Sequence, residues 1–73
     1  MSRIAAIGER ERLRCFAFAG VHVSAAEDPP AARAAWGALP ADVALVILTP
    51  AAHAALQLEL RARDRPLCAV MGR

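Results

Sequence analysis

Val43-Ala44-Leu45-Val46-Ile47-Leu48, running directly into Thr49-Pro50, is the stretch that decides the fold. Six consecutive apolar residues, three of them β-branched, leave no polar position for a solvent-facing side. The segment therefore reads as a strand covered on both faces, as strands in parallel sheets are. Thr49-Pro50 then gives a hydroxyl able to accept a free backbone N–H at a helix start, followed by a proline whose missing N–H is not needed there. A buried strand feeding straight into a capped helix is half of a β-α-β unit.

Toward the N-terminus the same grammar repeats. Asp28-Pro29 is a second cap-then-proline start, and Ala32, Ala35, Trp36 and Leu39 recur at helical spacing. This predicts a helix from about 29 to 39, weakened by Gly37 and stopped by Pro40. Val21 to Ala25 reads as a strand. Before it, Leu13, Phe16, Ala17 and Gly20 keep the i, i+3, i+4, i+7 spacing of a helix over about 9–19, closed by Gly20. Arg3 to Ile7 is a short apolar strand stopped by Gly8. Toward the C-terminus, a helix from Pro50 to about Arg63 has Arg61, Arg63 and Arg65 near its negative pole and is broken by Pro66. Leu67 to Met71 forms the last strand.

The strands are β1 (3–7), β2 (21–25), β3 (43–48) and β4 (67–71). The order βαβαβαβ, with connections this short, predicts right-handed crossovers onto a four-stranded parallel sheet in one α/β domain spanning 1–73, with the flavodoxin-like order 2-1-3-4. One crossover helix then covers one face and two cover the other, so β3 and β4 lack a helix on one side. Leu45, Ile47, Cys68 and Val70 alternate with Ala44, Val46, Leu48 and Ala69, so an apolar surface is bare whichever set faces that side. The isolated chain is expected to self-associate, through that face or through the β4 edge.

Composition narrows function. Alanine supplies 19 of the 73 residues, so helices form readily but each buries little, and the core must rest on Ile, Leu, Val, Phe16, Phe18 and Trp36. All nine cations are arginine, and the net charge is +2. They are interleaved with Glu9, Glu11, Glu59 and Asp64, with no continuous basic stripe and no aromatic platform, so nucleic acid is not an expected partner. No apolar run reaches the roughly 18 to 20 residues of a membrane span, and the N-terminus lacks a secretion signal, so a cytoplasmic chain is expected. Cys15 and Cys68 are read as buried, reduced thiols.

Chemistry in such sheets sits at the carboxyl ends of the strands. Here Gly8-Glu9-Arg10 offers one glycine where a dinucleotide or Walker loop needs several, and no lysine is present to hold a triphosphate. Cys15 has no histidine beside it in sequence, and Cys15, His22, His53 and Cys68 lack the paired short spacings of a zinc site. No catalytic residue, cofactor or metal is expected. The strand ends offer only Glu9, Arg10, Ser24, Glu27, Asp28 and Thr49 to a small ligand, the material from which a ligand-binding or enzymatic domain of this fold would be made. The third helix is apolar over more of its circumference than one sheet contact uses. Leu56 and Leu60 mark one face, while Ala51, Ala55, Leu58 and Ala62 mark a second, with Arg61 and Arg65 at its rim. That second face is expected to bind a protein.

Arg3-Ile-Ala-Ala-Ile-Gly8, Phe16-x-x-x-Gly20-Val21, Glu27-Asp28-Pro29, the apolar strand ending at Thr49, and then Pro66 and Gly72 together resemble the F-subunit family of the V-type rotary ATPases, over nearly the whole chain. The resemblance implies a non-catalytic central-stalk protein that binds the coiled-coil rotor component of the same stalk and modulates the coupling of ATP turnover to proton or sodium transport. It implies a cytoplasmic protein held at the membrane through its complex. Cys15 stands where the family has glycine, Pro50 and Ala51 replace an acidic pair, and Met71 replaces a proline. The chain also ends about where the family continues into a C-terminal helix, as expected of a short member or an N-terminal domain.

Overall fold

A computed structural model describes residues 3–62 and 67–71, and their side chains except those of 15–19 and 67. Four parallel strands, β1 (Arg3–Gly8), β2 (His22–Ala25), β3 (Val43–Leu48) and β4 (Leu67–Val70), pair in the order β2-β1-β3-β4. Between them lie a 3₁₀ stretch (Arg10–Ala19), α1 (Pro29–Gly37), and α2 (Pro50–Ala55) followed by α3 (Gln57–Ala62). The α/β architecture and strand order read from the sequence are those of the structure. No helix among the described residues is long and apolar enough to cross a membrane.

Both proline-led starts form as their chemistry dictates. The Asp28 carboxylate accepts the Ala31 N–H at 2.9 Å, and the Thr49 hydroxyl oxygen accepts that of Ala52 at 3.3 Å. Two local forms differ from expectation. The first crossover is a 3₁₀ turn series rather than an α-helix; a Leu13–Phe16 spacing of three serves 3.0 residues per turn as well as 3.6, so the pattern could not separate them. Gly20 ends it in the left-handed region, at φ 75°. The third crossover is not one helix. It breaks at Leu56 (φ −104°, ψ 16°), where no glycine or proline stands. Leu56 is fully buried, so packing rather than local propensity sets the bend.

The register divides the sheet into two unequal faces. Ala5 pairs with Val46 and Ile7 with Leu48, and these four cluster with Ala32 and Trp36 of α1, Ala52 of α2 and Leu56. On the opposite face Ala6 is fully buried, and so is Leu13 of the 3₁₀ stretch, which packs on β1 and β2. Nothing comparable among the described residues covers β3 and β4 there. Leu45 and Ile47 are half-buried, Ala69 is exposed and Ile4 keeps 44% of its surface in solvent. Among the described residues that side is therefore left uncovered, but with a different membership. Cys68 and Val70 pair with Val46 and Leu48, whereas Ala69 pairs with Ile47. A one-residue offset exchanges the two faces of a strand, and the register between β3 and β4 is set by the crossover, not by either strand alone.

Cys68, expected as a buried thiol, is exposed, because β4 is an edge strand that the described crossover helices leave uncovered. At the other end of the sheet, Arg3 and Asp42 form an ion pair of 2.9 Å, with side chains 60% and 46% exposed. Such a pair contributes little to stability by itself. The backbone bond from Arg3 N–H to the Asp42 carbonyl, also 2.9 Å, fixes the same junction. The total accessible surface is 4915 Å² for 7.7 kDa, against about 4300 Å² for a compact monomer of this mass.

Candidate functional site

β1, β2 and β3 deliver Gly8-Glu9, Ala25-Ala26 and Leu48-Thr49 to the same end of the sheet. The connections leave β1 and β3 in opposite directions across the sheet, which makes this the switch point where folds of this order place their sites. The ends are held by backbone bonds from Ala26 N–H to the Gly8 carbonyl, 2.8 Å, and from Thr49 N–H to the Ile7 carbonyl, 3.2 Å. Gly8 is required by closeness. A Cβ there would fall within the side chain of Thr49.

Thr49 is fully buried and has two duties. Its oxygen caps α2, and its hydroxyl donates to Glu9 Oε1 at 2.6 Å. That hydrogen bond is the main reason the Glu9 carboxyl lies below its ordinary value. Glu9's own backbone N–H and the Arg12 guanidinium, 3.7 Å away, act in the same direction, and burial opposes them. The hydroxyl is thus committed to structure, tied to a carboxylate that lacks the basicity to activate it.

Beside this link lies a cleft of about 90 Å³. Its floor is Ala26, Ala32, Ala52 and Ala55, and Pro29 and Ala51 flank its mouth. Glu9, Glu27 and Asp28 supply its polar rim. Nucleotide and cofactor sites run to about 300–1,000 Å³, so the cleft is too small for them. No group of three His, Cys, Asp or Glu side chains among the described residues is placed to hold a metal ion. His22 is exposed on β2, and His53 on α2 lies against Gln57, its Nδ1 3.3 Å from Gln57 Nε2. The Cys68 thiol is pushed up by partial desolvation, away from the thiolate a nucleophile needs. The Cys15 side chain lies outside the described residues.

The residues expected to bind a protein are divided by the break at Leu56. Leu58, Arg61 and Ala62 lie exposed on α3, with Leu58 at 77%. Ala51 and Ala55 lie on α2 at the cleft, the first exposed and the second partly buried against the core. Arg65 falls outside the described residues. Leu56 and Leu60 face the core, the first fully and the second in part. The Glu9–Thr49 link was not foreseen as a pair; glycine-glutamate after one central strand and threonine after its neighbour is the signal that marks it. No family model, no curated protein and no solved structure matches the chain.

Proposed function

We propose that this chain is a non-catalytic, protein-binding component of the kind its sequence resembles, a central-stalk protein of the F-subunit family in a V-type rotary ATPase or ATP synthase. Its partner would be the coiled-coil rotor component of that stalk, and its effect would be on the coupling of ATP turnover to ion transport. As such it would be cytoplasmic and reach the membrane only through the complex.

The observation that carries the reading is α3. It projects Leu58 into solvent beside Arg61 and Ala62 and makes no extensive contact with the sheet. An exposed leucine with an arginine one turn away supports that reading, because arginine is enriched at protein interfaces. The face of β3 and β4 that no described residue covers adds apolar surface in support of the reading. The competing reading, a small-ligand domain, draws on the switch-point position of the cleft and is opposed by its volume and by a hydroxyl already committed to Glu9.

Co-purification with the rotor coiled coil of a V-type ATPase tests the proposal. Leu58→Asp should weaken capture at least tenfold, which is about 1.4 kcal/mol, and leave the circular dichroism spectrum unchanged. Equal capture of wild type and variant removes α3 as the binding surface, and no capture of wild type removes the central-stalk assignment.

A further inference from the structure

We propose that the cleft at the carboxyl ends of β1 and β2 is a docking site for one long cationic side chain, a lysine or arginine, projecting from a protein partner. This rests on the protein-binding reading and adds to the α3 surface a second contact of different chemistry. Its floor is made of alanine methyl groups, those of Ala26, Ala32 and Ala52 being themselves buried. The depth exists because no side chain there extends past Cβ. At about 90 Å³ the cleft has room for an unbranched aliphatic stem.

The rim then selects the tip. Glu27 uses Oε2 to accept the Arg10 backbone N–H at 3.3 Å, and Asp28 uses Oδ1 to cap α1. Neither Glu27 Oε1 nor Asp28 Oδ2 takes part in these bonds, and both residues are exposed. An apolar trough ending in carboxylate oxygens fits a side chain with an apolar stem and a positive head. Helix starts ordinarily favour anions, and α1 and α2 both begin here. Asp28 already occupies the start of α1 and Thr49 that of α2, so an arriving anion would meet three carboxylates offset by Arg12 alone among the described ion pairs there.

The test titrates the full ¹⁵N-labelled chain with acetyl-lysine amide and acetyl-arginine amide, with acetyl-norleucine amide as a neutral control of similar stem. Saturable amide shifts are expected at Glu27, Ala32, Ala51, Ala52 and Ala55, with Kd on the order of 10 mM, as suits one side chain taken out of its interface. Glu27→Gln should weaken binding threefold or more. Ala51→Met, at an exposed position that need not repack, should fill the mouth and abolish the saturable shifts. Leu58→Asp should leave them intact, so that failure of the α3 surface and failure of the cleft are read separately. Shifts that do not saturate below roughly 100 mM, equal shifts with the norleucine amide, or undiminished binding in Ala51→Met each overturn the proposal.

Discussion

Replacing Thr49 by valine keeps the shape of a fully buried side chain and removes its only polar atom. Two interactions go at once. The cap on Ala52 N–H is worth about 1 kcal/mol. The hydrogen bond to the Glu9 carboxylate belongs to a class worth about 1.5 to 3 kcal/mol, but the Glu9 side chain is 34% exposed, so water recovers part of it. A loss of about 2 kcal/mol follows, or roughly 8 to 16 °C in Tm for a domain of this size. The deficit must also depend on pH. The Glu9 carboxyl is depressed below 4.5, so its stabilisation is complete above that value and is lost as pH falls through the lower folded-state value. Wild type and Thr49→Val should therefore differ most at neutral pH, the gap narrowing to the pH-independent contribution of the helix cap once the Glu9 carboxyl is protonated, while Thr49→Ser, which keeps the oxygen, should track wild type. Thermal melts followed by circular dichroism measure all three. A Tm for Thr49→Val within about 2 °C of wild type, or a gap constant with pH, refutes the account.

Gly8→Ala should cost about 2 kcal/mol or more, because the new methyl must displace a side chain held by two hydrogen bonds; an unchanged urea midpoint would show that the strand ends yield. Leu56→Ala should remove about 2 to 5 kcal/mol, a large part of the roughly 4 to 11 kcal/mol a domain of this length commands. Leu58→Ala, by contrast, should stay within about 0.5 kcal/mol in the same denaturation series. The isolated chain should self-associate at micromolar concentration through its uncovered sheet face, and a clean 7.7 kDa species in sedimentation would contradict that.

Strand order was legible because every strand and crossover carried its own punctuation: Gly8, Gly20, Asp28-Pro29, Pro40, Thr49-Pro50 and Pro66. Each is a local steric or hydrogen-bonding rule that acts regardless of context. What escaped the sequence was decided between elements. The bend at Leu56 answers to burial on the sheet, and an alanine-rich segment tolerates it without a marker. The β3–β4 register, and with it the solvent exposure of Cys68, depends on how the crossover lands. Glu9 and Thr49 stand 40 positions apart, and only the β1–β3 pairing makes them partners.

The β1–β3 pairing also governs how the chain acquires its structure in time. Ile7 meets Leu48 across the centre of the sheet, forty-one positions later in the chain. Until that loop closes, Ala5 and Ile7 have no neighbouring strand at Val46 and Leu48, and α1 has only half of its cluster to pack against. Helices rich in alanine form in microseconds, but a parallel pairing this distant must first meet the entropy of loop closure. Folding speed should therefore respond to substitutions in β1 and β3 far more than to those in α3, and the N-terminal half, released alone, should remain a collapsed but unfixed chain.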